Sequence, residues 1–347
     1  MVAECRVAIL MASFNGEHFL PEQLVSIGQQ DHVSWDLWVS DDGSNDGTLN
    51  QLEIFANGFS DFAMLESPTL PRKQHVFLLK GPRQGVAANF YHLVEKVYAS
   101  AFKHYQAFAF ADQDDVWFPD KLSRALSTIL VCERPVSSEG AAAPLLWCSE
   151  VRVFDSRGEM KAGSITKIPH GFKPGLEHAL TQNVVRGNTC VLNRAAFEQI
   201  HLCRPRTPIV MHDWWFYLVI SASPGGLILH DPRPSLAYRQ HEANQVGEAD
   251  SFRSRVKRRR KAWQGQVRLW NDIHIAAIRE LQQHASDRLI EDLWQARDKL
   301  QEVCVASRTR SLGARFRALR LLREARLRRI GWLQNLFMDF LVLTGRF

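Results

Sequence analysis

This 347-residue chain contains no run of about 18 apolar residues, so its sequence predicts no membrane-spanning helix. Its six cysteines (Cys5, Cys132, Cys148, Cys190, Cys203 and Cys304) form no C-x-x-C pair, which argues against a zinc site and a disulfide framework alike. A reducing, cytoplasmic compartment is expected. Met1 leads almost directly into a strand-like segment, so no signal peptide is expected. A phosphate-cradling G-x-x-x-x-G-K-[ST] loop is also missing, which disfavours P-loop phosphotransfer. No internal repeat is found. What remains is an ordinary globular composition, 46% hydrophobic and 23% charged. The length suffices for one large domain and an appendage.

Charge is unevenly spread. Residues 248–347 hold 22 Lys/Arg against 11 Asp/Glu, a net of +11, whereas residues 1–247 hold 21 against 26, a net of −5. The expected division is therefore an acidic catalytic body, 1–247, and a basic helical region, 248–347, that meets something anionic.

Along the body, strand and helix patterns alternate. Val7–Met11, Trp35–Val39, Val76–Leu79 and Ala107–Ala111 read as short buried strands. Helices are expected over Leu20–Gln30, from near Leu49, and over Val86–Ser100. Shorter strand-like pieces follow at Leu145–Cys148, Val151–Phe154, Cys190–Leu192 and Gly226–His230. This order predicts an α/β fold with a mostly parallel sheet covered on both faces. Ligands of such sheets bind beyond the carboxyl ends of the strands. Two acidic loops fall there: Ser40-Asp41-Asp42-Gly43 and Asp112-Gln113-Asp114-Asp115. Three carboxylates in four positions repel one another unless a cation sits among them, and oxygen ligands suit Mg²⁺ or Mn²⁺. The plainer reading is a solvated acidic turn before the helix that starts near Pro119-Asp120-Lys121.

Four blocks carry a resemblance: VAILMASFNG (7–16), VSDDGSNDGT (39–48), GPRQGVAANF (81–90) and FADQDDVWFPDKL (110–122), followed by HDWW (212–215) and YRQHEAN (238–244). With these blocks in this order, the chain resembles the family 2 inverting glycosyltransferases, and most closely their bacterial rhamnosyltransferase-like branch. The resemblance implies a GT-A fold that binds a nucleoside-diphospho-sugar. Asp42, with Asp41 beside it, matches the acid that contacts the nucleotide base; Ser13 and Asn15 would line the same pocket, and Arg83 would approach the base or diphosphate. Asp112-Gln113-Asp114 matches the D-x-D motif, with Asp114 the preferred metal ligand, Asp112 near the ribose or metal, and Asp115 in support. Asp213 matches the general base, although His212 stands where the family more often has a second acid. His241 is a candidate third metal ligand and Arg239 a diphosphate contact. Trp214 and Trp215 read equally as sugar-stacking or core residues.

The donor favoured by resemblance is dTDP-rhamnose, with UDP-sugars as alternatives; the acceptor would be a glycan or a polyprenyl-diphosphate-linked glycan of a surface polysaccharide. Residues 253–261 place seven Lys/Arg in nine positions, and 308–329 hold nine arginines before the apolar 331–347. A basic amphipathic stretch followed by an apolar segment too short to span reads as an anionic-membrane contact, peripheral on the inner face of the cell membrane. Packing as a helical bundle on the body or on another subunit is the plain alternative. Nucleic acid is disfavoured, because Trp332, Phe337 and Phe340 cluster away from the basic residues. Two other readings keep the fold: a phosphotransfer enzyme and a non-catalytic nucleotide-sugar binder.

Overall fold

The computed structural model describes residues 5–32, 34–62, 74–133, 135, 142–154, 168–169, 172–240, 252–284 and 291–347. Its central strands are those whose side chains are apolar on both faces. β1 (Val7–Ser13) and β2 (Trp35–Asp41) are buried at every residue, as is β4 (Ala107–Ala111). A strand covered on both faces needs no polar alternation, which is why these segments read as continuous apolar runs.

With β3 (Val76–Lys80), β6 (Leu145–Ser149), β8 (Val191–Asn193) and β9 (Leu227–Asp231), they form a seven-stranded sheet in the order β3-β2-β1-β4-β8-β6-β9. Pairing from β3 to β4 is parallel, and β8 then runs antiparallel to both β4 and β6. The fold is thus α/β with a mostly parallel sheet.

The parallel strands are linked by α1 (Leu20–Gly28), α2 (Thr48–Phe62) and α3 (Val86–Ser100), and α4 (Lys121–Cys132) follows β4. Phe90 of α3 packs on Phe110, and Phe197 of α6 (Arg194–Leu202) stacks on Phe108 at a centroid distance of 3.7 Å. Residues 108 and 110 of a strand share a face, so α3 and α6 cover one side of β4 together.

A second, three-stranded sheet joins β5 (Val116–Trp117), β10 (Leu236–Arg239) and β7 (Arg152–Phe154), with β10 in the middle. It was not legible as a unit: β5 is two residues long and exists through its pairing with β10.

The chain divides into two units. The sheets lie in the unit made by residues 1–164, 185–201 and 229–244. The other unit comprises 165–184, 202–228 and 245–347, so two segments from within the first 247 residues join the basic C-terminal region. It contains α5 (Leu176–Ala179), α7 (His212–Ala222), α8 (Phe252–Lys261), α9 (Val267–His284), α10 (Glu291–Ser307), α11 (Leu312–Glu324) and α12 (Trp332–Leu343). Helix α10 packs against α5, α7, α9, α11 and α12 and is the spine of the unit. A π-helical turn, Ala262–Gln266, with Gly265 at φ 102°, separates α8 from α9. Among the described residues no helix is long and apolar enough to cross a membrane.

Candidate active site

Parallel pairing sets the carboxyl ends of β1, β2 and β4 side by side. Ser13 is in register with Asp41, and Met11 with Ala111, one residue before the acidic run. Three sequence segments therefore converge at the carboxyl ends of the strands.

The loop after β1 is held by the loop after β4. The Gln113 carboxamide accepts from the Phe14 N–H and donates to the Phe14 carbonyl, both at 2.9 Å. Gly16 makes room for it, since a Cβ there would lie 2.3 Å from Gln113 Oε1. Asn15, at φ 47°, links onward to the loop after β2. Its N–H donates to Ser44 Oγ at 2.8 Å, and its Oδ1 accepts from the Asn45 N–H at 2.9 Å.

Asp41 and Asp42 divide their work. The Asp41 carboxylate is buried and accepts from the N–H groups of Gly43 and Ser44 and from the hydroxyls of Ser13 and Ser44. Asp42 instead accepts from the N–H groups of Arg83 (2.6 Å) and Gly85 (2.8 Å), drawing the 81–85 loop onto the strand ends. The Arg83 side chain then lies over Gly43, where a Cβ would stand 2.8 Å from Nε; Gly43 also needs its φ of 98°.

The acidic run provides one carboxylate oxygen each from Asp112, Asp114 and Asp115, all within 4.8 Å of one another. Asp112 and Asp114 are partly exposed, whereas Asp115 is fully buried. Asp115 Oδ2 accepts from Asn188 Nδ2 at 2.6 Å, while Oδ1 is buried without a hydrogen-bond partner among the described residues. Burial first, then the charges of Asp114 and Asp112, push the Asp115 carboxyl well above the usual carboxylate range. A cation relieves both the repulsion and the orphaned oxygen, so the residues present fit a hard divalent ion.

Lys121 is buried as well. Its ammonium donates to the Asn188 carbonyl at 2.6 Å and sits 3.3 Å from the centroid of the Trp117 ring. Burial pushes its pKa well down, partly offset by Asp115. Asn188 thus bridges two buried ionisable groups, one through its side chain and one through its backbone.

Arg239 comes from β10. Its Nε donates to the Asp114 carbonyl at 3.2 Å, and its guanidinium pairs with Glu22 and covers the Phe19 ring. The small sheet therefore fixes a cation beside the acidic loop. Gln23, fully buried, steadies that loop from α1 by donating to the Asp112 carbonyl at 3.0 Å.

Asp213 is carried by the helical unit, in the first turn of α7, where it is buried. Its Oδ1 accepts from the Trp214 N–H at 2.7 Å. His212 beside it is buried, which lowers its pKa to about 3, so it contributes no positive charge at neutral pH. Trp214 and Trp215 prove to be core residues. Their indole N–H groups donate to the carbonyls of Ala179 (2.6 Å) and Cys203 (2.9 Å), and both rings are buried. His241 lies outside the described residues.

Of the expected site residues, Ser13, Asn15, Asp41, Asp42, Arg83, Asp112, Asp114, Asp115 and Arg239 meet in the sheet-containing unit. Gln113, Asn188, Lys121 and Gln23 were not foreseen. Gln113 and Lys121 carried a signal, their place inside the 110–122 block. Asn188 and Gln23 are fixed by partners 67 to 89 positions away.

A mostly parallel α/β sheet with an acidic cluster beyond its strand ends is a GT-A-like arrangement, and together with the family match and relatives that follow it makes the chain an enzyme of the glycosyltransferase type. The family described as Glycosyl transferase family 2 matches residues 8–131. The chain is 29% identical over 254 residues to the dTDP-rhamnosyl transferase RfbG of Shigella flexneri, covering 72% of this chain and 77% of that protein. It is 27% identical over 124 residues, 36% of this chain and 41% of the other, to the UDP-Glc:alpha-D-GlcNAc-diphosphoundecaprenol beta-1,3-glucosyltransferase WfgD of Escherichia coli. Among solved structures, S. aureus TarS in complex with UDP-GlcNAc superposes with a TM-score of 0.50 at 12% identity, over 92% of this chain and 80% of that one. This last likeness speaks for the fold alone.

Proposed function

We propose that this protein is a metal-dependent, inverting glycosyltransferase that moves a sugar from a nucleoside-diphospho-sugar to a growing, lipid-linked surface polysaccharide. The observation that carries the reading is the triad Asp112, Asp114 and Asp115 at the strand ends, with an orphaned buried oxygen on Asp115. The likeness to RfbG supports dTDP-rhamnose as the first donor to test, and the likeness to WfgD supports a UDP-sugar as the second and a diphospholipid-linked acceptor.

Asp112, Asp114 and Asp115 would hold Mg²⁺ or Mn²⁺, with His241 as a further ligand. Bound there, the ion supplies positive charge against the leaving nucleoside diphosphate. Arg239 and Arg83 orient the diphosphate, and Ser13, Asn15, Asp41 and Asp42 shape the nucleotide pocket. Asp213 takes the proton from the acceptor hydroxyl as that oxygen attacks the anomeric carbon opposite the diphosphate. The sheet-bearing body over 1–247 supplies the donor site, and the basic region 248–347 meets the anionic inner surface of the cell membrane.

Titration calorimetry with dTDP-rhamnose, UDP-glucose, UDP-N-acetylglucosamine and GDP-mannose, each with and without Mn²⁺, tests the donor site. One donor binds in a metal-dependent way, and Asp114→Asn abolishes that binding. Asp213→Asn keeps donor binding and loses transfer by roughly a hundredfold or more. No metal-dependent binding of any donor refutes the reading. Undiminished turnover in Asp213→Asn removes the base assignment.

A further inference from the structure

The last helix leaves an aromatic face exposed. α12 buries Met338, Leu341 and Val342 within its unit. The opposite stripe, Trp332, Leu333, Leu336 and Phe340, is 70%, 52%, 56% and 47% exposed. These positions are spaced i, i+1, i+4 and i+8, so they form one face of the helix. Phe340 stacks on Trp263 at 5.3 Å, and Arg346 lies 4.7 Å over the same Trp263 ring. Trp263 follows the basic end of α8, where Arg258, Arg259, Arg260 and Lys261 are exposed. Beside α12, α11 exposes Arg317, Arg320 and Arg323, and Arg326 is exposed just beyond its end. Arg320 and Arg323 pair with Glu324 and Asp339; Arg317 and Arg326 make no ion pair among the described residues.

We infer that the Trp332–Phe340 stripe of α12 seats in the headgroup–acyl boundary of an anionic bilayer, with the arginines of α11, Arg326 just after it and the basic end of α8 on the phospholipid phosphates. The inference names the contact residues of the membrane partner proposed above and rests on that reading of the basic region. Length decides the mode. A helix of 12 residues is about 18 Å long, too short for a hydrocarbon core of about 30 Å, so it lies in the plane of the interface. Charge decides the occupant. A second copy on this face would set two segments of net +11 against each other, whereas anionic lipid complements them.

The test is flotation of the full chain with phosphatidylcholine vesicles, with and without phosphatidylglycerol. The wild type floats with the anionic vesicles. Trp332→Ala with Leu336→Ala lowers the partition more than about tenfold by removing inserted apolar surface. Arg317→Gln with Arg326→Gln lowers it by about tenfold or more through lost attraction to phosphate. All four side chains are exposed, and circular dichroism checks that the variants stay folded. Flotation unchanged in Trp332→Ala/Leu336→Ala, or no flotation of the wild type, overturns the inference. So does a wild-type dimer, in the absence of lipid binding, that the same pair of changes splits, because the face is then a self-interface. Equal binding to plain duplex DNA, insensitive to Trp332→Ala, overturns it in favour of a general polyanion surface. Donor calorimetry on the same protein separates the two readings: flotation intact with no donor bound defeats the enzymatic reading and supports this surface.

Discussion

Acid should undo the helical unit before it affects the sheet, and three histidines set the magnitude. His178, His212 and His274 are all buried in that unit. Burial is the first cause of each shift, bringing His212 and His274 to about 3 and His178, with a contribution from the Arg329 charge, to about 4. The sign follows from linkage. Each folded pKa lies below the unfolded value of 6.5, so the unfolded chain takes up protons that the native state refuses. Stability is complete above about pH 6.5 and is lost as pH falls toward the folded values. At pH 5 each group is about 1.5 units below its unfolded pKa, a loss of about 2 kcal/mol apiece. The three together cost about 6 kcal/mol, against a typical total stability of about 5–15 kcal/mol. The limiting slope is about 4 kcal/mol per pH unit, equivalent to three protons.

Urea unfolding monitored across this window, with peptide-resolved hydrogen exchange over α7 and α9, reads the effect where it should fall. His274→Phe, placed edge-on to Trp214, should lower the slope by about 1.4 kcal/mol per pH unit. A flat stability between about pH 7 and 5, or a slope unchanged in His274→Phe, would refute the reasoning.

Gly16→Ala sets a Cβ against the Gln113 side chain and should destabilise by about 1–3 kcal/mol in thermal melts, a cost largely relieved in the Gly16→Ala/Gln113→Ala double variant. Strictly additive effects would mean that the two loops are not clasped through this contact. Asn188→Ala removes the one described hydrogen bond to the buried Asp115 carboxyl, at Oδ2, and should cost about 1–3 kcal/mol by urea titration; wild-type stability would show that water satisfies the site. Gly43→Ala meets an unfavourable φ of 98° and displaces Arg83, so it should cost about 1–2 kcal/mol and weaken donor binding in the same calorimetric assay. Unaltered donor affinity would remove Arg83 from the pocket.

What could be read from the sequence depended on how far each element's partners lie along the chain. Strand β4 is apolar at every position and buried on both faces, so AFAFA declared itself locally, and the acids that follow had to emerge at its carboxyl end. Helix α3 runs over the expected residues because Gly85, at φ 88°, precedes a run with regular apolar spacing. Helix α7 gave no such signal. It is apolar nearly all round, as a helix buried on every side must be, so WW within it read as ligand-stacking as readily as core. Asn188 shows the limit most clearly. It sits in a three-residue 3₁₀ turn with no motif of its own, yet it hydrogen-bonds both Asp115 and Lys121. A buried acid and a buried amine each carry a desolvation cost that their own segment does not offset, and a neutral amide serves both by donating to one and accepting from the other. The acidic motif is local in sequence, but the environment that leaves one of its oxygens orphaned, and thereby fits it for a cation, is assembled from β4, α4 and residue 188.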